Sequence, residues 1–134
     1  MCRERGFVAF TPEQFQHSEW ARFGTFDSLL LAHVAEHMTR DEVVELIRSY
    51  LGYLTPLGRI ILFTPQERGF AWQSDVHVEF MDFSKLESIL SELGSCVERR
   101  YSFPFPRFLG RLFVYNEFVM VGTFPCRGEC ATNS

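Results

Sequence analysis

The chain has 134 residues, carries 13 Lys and Arg against 17 Asp and Glu, and is 46% hydrophobic. This composition excludes a disordered chain, and the length fits one domain rather than two. A net charge of −4 argues against a protein that binds duplex nucleic acid. Because no apolar stretch reaches 18 residues and no apolar segment follows the charged N-terminus, we expect a cytoplasmic protein without membrane association. Cysteines in that compartment are expected to be free thiols, here Cys2, Cys96, Cys126 and Cys130.

The first elements alternate between apolar runs and helix signals. Residues 6–10 (GFVAF) form a short apolar run that predicts a strand, and a capping box beginning at Thr11 with Pro12 in the first turn predicts a short helix. Residues 26–32 (FDSLLLA) are almost continuously apolar, which is typical of a parallel strand covered on both faces.

The middle of the chain carries the clearest helix. Thr39 and Glu42 form a capping box before an apolar stripe with helical spacing. Residues 55–58 (TPLG) predict a turn, and residues 59–64 predict a second buried strand that stops at Pro65. A polar loop is expected from residue 66 to about residue 76.

The C-terminal part predicts one more helix and two strands. Ser84 and Glu87 are the expected capping box of the helix, and Gly94 is its expected C-terminal cap. Alternating residues from 97 to 103 and an apolar run from 113 to 122 predict strands on either side of a Pro- and Gly-containing loop. We expect residues 123–134 to form a flexible tail. The whole order predicts an α/β layer architecture.

Ligands of open α/β sheets bind at the carboxyl ends of the parallel strands. His33, Glu36 and His37 follow the strand at 26–32, and His77 ends the polar loop after the next strand. These groups suit proton transfer or metal binding. Glu36 and His37 are equally compatible with a position at the start of a helix, and His77 is equally compatible with a solvent-exposed loop. The H-x-x-E-H spacing also matches a zinc-peptidase motif, which the helix start at Thr39 disfavours because that motif needs a continuous helix.

The segment from residue 26 to residue 37 (FDSLLLAHVAEH), followed by a helix and LTPLGRIILFTP at 54–65, resembles class I S-adenosylmethionine-dependent methyltransferases. In that family the two segments are the fourth and fifth strands, and the last two strands form an antiparallel pair. The resemblance implies a Rossmann-like sheet and covers residues 7–122. No glycine-rich loop of the first family motif is present, so residues 1–122 are expected to be a partial domain, truncated at the N-terminus, that holds strands three to seven.

The resemblance also implies a methyl donor, S-adenosylmethionine, and places it. Thr11, Pro12 and Glu13 would lie near the adenine, and Ala32 and His33 near the transferable methyl group. His33 and His77 are the favoured catalytic bases. The resemblance further implies positive φ at Leu57, where the family turn has glycine. Some relatives bind a metal through an E-x-x-E-H pattern. Here His33 replaces the first Glu, so a metal at His33, Glu36 and His37 stays an alternative and no metal is assigned.

The sequence therefore predicts methyl transfer to a small-molecule or carbohydrate-like acceptor. The alternative is a non-catalytic α/β fragment or interaction module that pairs with another chain, or with itself, through an exposed sheet edge. Fifteen Phe residues are compatible with either outcome, since they can fill a core or cover a contact surface.

Overall fold

The computed structural model describes residues 3–72 and 75–126. Four strands form one mixed sheet: β1 (Phe26–Ala32), β2 (Leu54–Pro65), β3 (Cys96–Phe103) and β4 (Glu117–Phe124), in the order β1-β2-β4-β3. β1 and β2 are parallel, whereas β4 runs antiparallel to both β2 and β3. The predicted α/β sheet with a C-terminal antiparallel pair is confirmed.

Four α-helices accompany the sheet: α1 (Pro12–Gln16), α2 (Arg40–Tyr50), α3 (Glu67–Trp72) and α4 (Phe83–Glu92). Short 3-10 helices lie at Arg3–Arg5, Ala35–His37, Leu51–Tyr53 and Arg107–Arg111. The capping boxes predicted for the first two helices are confirmed, because the side chains of Thr11 and Thr39 accept hydrogen bonds from Gln14 N and Glu42 N. No helix in the described part of the chain is long and apolar enough to span a membrane.

The core lies between the sheet and helices α2 and α4. α2 buries Val43, Val44 and Ile47, and α4 buries Leu86, Ile89 and Leu90, in one cluster with sheet residues such as Ile60 and Phe118. The opposite face of β1 is not fully covered: Leu30 is 55% exposed. The expectation that β1 is covered on both faces is therefore wrong. Part of the apolar surface of its near-continuous apolar run stays exposed in the described structure.

The link from α2 to the sheet differs from the predicted turn. β2 begins at Leu54 and includes residues 55–58, and its register against β1 jumps from the Phe26–Leu54 pair to the Ser28–Arg59 pair. The extra residues form an irregularity within the strand pair, where Leu57 has φ 64°. The positive φ implied for Leu57 is thus confirmed, although the turn is part of a strand.

Two boundaries in the second half of the chain are corrected. α3 occupies most of the predicted polar loop; it has only six residues, and its Gly69 is buried against the backbone of Val114, so tertiary contact rather than helix propensity holds it. α4 is capped by Asp82, whose side chain accepts from Lys85 N, and not by Ser84. Gly94 follows this helix with φ 73°, as predicted for its C-terminal cap.

The predicted strands at the two ends of the chain also change. Residues 6–10 form no strand, and β1 is the edge strand of the described sheet on that side. The last strand begins at Glu117 rather than residue 113 and extends to Phe124, two residues into the expected tail. Cys96 and Cys126 form a disulfide with a Cα–Cα distance of 4.8 Å, which corrects the expectation of free thiols at these positions.

Candidate functional site

His33 marks the carboxyl end of β1. Its backbone N–H donates to Phe63 O at 3.0 Å and extends the parallel ladder by one residue, but its φ of 55° then turns the chain out of the strand. A non-glycine residue in this left-handed region is uncommon and is held by its surroundings. The turn presents the imidazole, which is half exposed, at the edge where the strands end.

Two carboxylates contact the His33 ring. Nε2 lies 2.7 Å from Glu117 Oε1, and Nδ1 lies 3.3 Å from Glu36 Oε1. Glu117 is the first residue of β4 and stands opposite Pro65 at the end of β2. The two contacts fix the imidazole between the strand ends, with Glu36 beneath it and Glu117 beside it.

Glu36 lies in the short 3-10 helix Ala35–His37 and is 1% exposed. Its backbone carbonyl accepts hydrogen bonds from Val78 N at 2.7 Å and Glu79 N at 3.3 Å, which attaches the segment before α4 to this turn. Its side-chain Oε2 is buried and has no hydrogen-bond partner among the described residues. A buried carboxylate oxygen without a partner is costly, so this atom calls for an explanation such as a bound ion or water.

His37 and His77 face each other across that junction, with ring centroids 5.1 Å apart. His37 Nδ1 lies 2.9 Å from Val76 O, and His77 Nδ1 lies 2.7 Å from Phe70 O. The Phe70 ring also stacks on His77 at 4.9 Å between centroids. Since a carbonyl oxygen only accepts, each Nδ1 carries a proton, and in the neutral imidazole the lone pair is then on Nε2.

His33 and His77 line one cavity of about 320 Å³ at the strand ends. The cavity is also lined by Pro65, Gly69, Trp72, Val114, Tyr115 and Glu117. The structure thus brings together the two histidines predicted as catalytic bases. It also places Trp72, which is 73% exposed, on the cavity wall.

A buried polar network supports this wall. Gln66 follows β2 and is fully buried; its Nε2 donates to Ser102 Oγ at 2.7 Å and to Glu117 O at 3.0 Å. Asn116 Nδ2 donates to Gln66 Oε1 at 3.1 Å, and Asn116 Oδ1 accepts from Phe105 N at 2.9 Å. The network ties the end of β2 to the start of β4 and so positions Glu117.

The predicted donor-binding residues do not lie together. Ala32 is exposed beside His33 at the carboxyl end of β1. Thr11, Pro12 and Glu13 belong to the α1 region, whose Phe15 contacts Phe26 and Tyr53 at the opposite end of β1. A seven-residue strand separates the two ends by about 20 Å. α1 therefore lies away from the site at His33, and the hydroxyl of Thr11 caps its own helix.

Glu117, Gln66 and Asn116 were not predicted to take part in the site. Asn116 and Glu117 interrupt the apolar run from residue 113 to 122, and this interruption is the signal that could have identified them. The contact of Glu117 with His33 follows from the antiparallel register of β4, which no local pattern specifies.

No protein-family model matches the chain, and no curated protein matches it. Solved structures do match. A SAM-dependent methyltransferase from Archaeoglobus fulgidus aligns with 91% of this chain and 78% of its own, at 14% identity and a TM-score of 0.60. The chain has the class I methyltransferase fold.

Two further structures with this methyltransferase fold are larger. The 1,6-didemethyltoxoflavin-N1-methyltransferase of Burkholderia thailandensis, with S-adenosylhomocysteine bound, aligns with 78% of this chain at 14% identity and a TM-score of 0.59. Magnesium protoporphyrin IX methyltransferase from Synechocystis PCC 6803, with SAM bound, aligns with 78% at 16% identity and a TM-score of 0.51. This chain spans 46% and 41% of their respective lengths.

Proposed function

We propose that this chain carries the acceptor side of an S-adenosylmethionine-dependent methyltransferase and acts on a small-molecule or carbohydrate-like acceptor. One observation carries the proposal: His33, Glu117 and His77 converge on a cavity at the strand ends of a sheet with the methyltransferase fold. The Burkholderia and Synechocystis enzymes, whose names specify small-molecule substrates, have donor or donor product bound.

The residues at the end of β1 fit the methyl end of the donor. Ala32 is small and exposed, and His33 turns away from the strand and leaves the edge of β1 open. Bound there, S-adenosylmethionine supplies an electrophilic methyl group on a sulfonium. The sequence contributes no glycine-rich loop for the rest of the donor, so we expect weak binding by this chain alone. The adenine contact of Thr11, Pro12 and Glu13 stays a prediction, and their position at the far end of β1 does not support it.

The reaction is a nucleophilic displacement. A lone pair on the acceptor oxygen or nitrogen forms a bond to the methyl carbon while the carbon–sulfur bond breaks, and its electron pair stays on sulfur, giving S-adenosylhomocysteine. The acceptor proton must pass to a base within hydrogen-bonding reach. The cavity wall supplies two imidazoles for that purpose.

His33 is the favoured base. His33 Nδ1 lies 3.3 Å from Glu36 Oε1 and Nε2 lies 2.7 Å from Glu117 Oε1, so a neutral ring with its proton on Nδ1 presents Nε2 as the base on the side of Glu117. An acceptor hydroxyl that replaces Glu117 as the partner of Nε2 can transfer its proton there. His77 Nε2 is the second candidate, because Phe70 O holds its Nδ1–H.

The deciding experiment is calorimetric titration of the untagged chain with S-adenosylhomocysteine. We expect saturable binding, and an Ala32→Trp variant is expected to bind at least about tenfold more weakly, because the indole would fill the methyl end of the site. Ser28→Trp is the matched control: Ser28 is exposed on the same side of β1, four residues earlier, and its substitution is expected to leave the affinity unchanged. No heat at millimolar ligand would exclude donor binding by this chain.

Transfer is measured as S-adenosylhomocysteine released from S-adenosylmethionine in the presence of phenolic and sugar hydroxyls. Loss of the base in His33→Ala is expected to lower an observed rate by about 100-fold. An unchanged rate would assign the proton transfer to another group.

Self-association through the open edge of β1 remains a prediction. Light scattering of the purified chain tests it, and a monomer at all concentrations would contradict it.

A further inference from the structure

We infer that Glu36, His37 and His77 form a binding site for a divalent transition-metal ion. One potential ligand atom from each of the three residues lies within 4.8 Å of the other two. The residues come from different elements: Glu36 and His37 from the 3-10 helix after β1, and His77 from the segment before α4. This inference does not depend on methyl transfer or on donor binding.

The hydrogen bonds of both histidines suit metal binding. Ligating histidines characteristically donate their other ring N–H to a carbonyl or carboxylate, which fixes the tautomer and the ring orientation. His37 and His77 meet this condition through Val76 O and Phe70 O. In the neutral ring each then has its lone pair on Nε2, which can coordinate a metal. The stacked Phe70 ring further restrains His77.

Glu36 provides an independent observation. Oε1 is occupied by His33, whereas Oε2 is buried and unpartnered, and the side chain is 1% exposed. In the described ranges, most glutamates that form ion pairs contact Arg or Lys, for example Glu79 with Lys85, whereas Glu36 and Glu117 share the half-exposed imidazole of His33. A buried carboxylate requires a compensating positive charge, and a cation beside Oε2 would supply it.

Two imidazole nitrogens and one carboxylate oxygen form a donor set that suits Zn²⁺, Co²⁺ and Mn²⁺ and leaves further coordination positions open. His77 belongs both to this cluster and to the cavity wall, so the open positions would be next to the acceptor cavity. His77 as a metal ligand could not also serve as a base, which leaves that role to His33. The set differs from the sequence alternative of His33, Glu36 and His37 because His33 Nε2 is bound to Glu117.

The test titrates the untagged, chelator-treated chain with CoCl₂ and ZnCl₂, followed by calorimetry and by the visible absorption of Co²⁺. One ion per chain is expected. His37→Gln, His77→Gln and Glu36→Gln are each expected to weaken binding at least about tenfold, in line with the effects of disturbing a metal's ligand sphere. Circular dichroism in chelator establishes that each variant is folded.

Two controls separate this site from adventitious binding. His17→Gln removes an exposed histidine whose Nδ1 contacts only Glu13 O on its own helix, and it is expected to change nothing. Glu45→Gln changes an exposed carboxylate of α2 that pairs with Arg48 away from the cluster, and it is also expected to leave the affinity unchanged. If Glu36→Gln does not fold, the metal affinities of His37→Gln and His77→Gln are sufficient to test the site. Absence of binding at millimolar metal, or binding that both histidine variants retain, would overturn the inference.

Discussion

Substituting Gly110 tests the network that supports the cavity wall. A Cβ on Gly110 would lie 1.7 Å from Gln66 Oε1 and 2.7 Å from its Cδ, a separation at which the Gln66 side chain must move. Gln66 is fully buried and cannot retreat into solvent. The Gly110→Ala change therefore acts on Gln66 rather than on the local backbone.

The cost follows from the hydrogen bonds that Gln66 gives up. Displacement breaks the bond that Oε1 accepts from Asn116 at 3.1 Å and those that Nε2 donates to Ser102 and to the Glu117 carbonyl. A buried polar group left without a partner costs about 1–3 kcal/mol. Because Asn116 and Gln66 each lose a partner, we expect the free energy of unfolding to fall by about 3 kcal/mol.

Urea unfolding of wild type, Gly110→Ala, Gln66→Ala and the double variant measures this effect. In the Gln66→Ala background Oε1 and Cδ are absent and only the Cβ at 3.0 Å remains, so the Gly110 substitution is expected to cost at least about 1 kcal/mol less than in wild type. Gly52→Ala is the control, because its Cβ would meet only the mobile, exposed ring of Phe23. The reasoning would be refuted if Gly110→Ala lowered the free energy of unfolding of the wild type by less than about 0.5 kcal/mol. It would also be refuted if the substitution cost the same with Gln66 and with Ala at position 66.

Two further predictions concern helix capping and the carboxylate of Glu79. Thr39→Ala removes the side chain that accepts from Glu42 N and is expected to lower global stability by about 1 kcal/mol, measured by urea unfolding. Thr11→Ala removes the same bond from α1, which buries no residue, and is expected to cost much less; equal costs would contradict this account. The hydrogen bond from Lys85, at 2.5 Å, together with that from Arg40 N, lowers the pKa of Glu79 below 4.5. Its stabilising contribution is present above the unfolded pKa and is lost as pH falls through the folded pKa. Glu79→Gln is therefore expected to lower the free energy of unfolding by about 1 kcal/mol at pH 7, and by almost nothing at a pH below both the folded and the unfolded pKa. A difference that does not change with pH would contradict this.

The elements whose signals are local could be predicted from the sequence. The capping boxes at Thr11 and Thr39, the strand from residue 26 to 32, and the positive φ of Leu57 follow from neighbouring residues or from the family turn. The helix α3 was missed because its six residues are held by contacts with distant segments. The strand at residues 6–10 was overpredicted, because an apolar run forms a strand only beside a partner.

The same distinction between local signals and distant contacts applies to the residues of the candidate site. His33 and His77 were identified because strand ends are visible in sequence, and the structure places both on one cavity. Their partners could not be identified in this way. Glu117 reaches His33 from 84 residues away. The burial of Glu36, whose Oε2 has no partner among the described residues, depends on the segment at Val78 that bonds to its turn.

The reversed direction of β4 has a consequence for how such a site can diversify. In a purely parallel sheet, only the residue that leaves a strand reaches the ligand edge. Here β4 enters the sheet at that edge, so Asn116 and Glu117 belong to the site while Phe124 lies at the opposite end, opposite Gly58. Changes just before and at the first residue of β4 can therefore alter the wall of the cavity beside His33, while the rest of the strand keeps its pairing and the core stays intact.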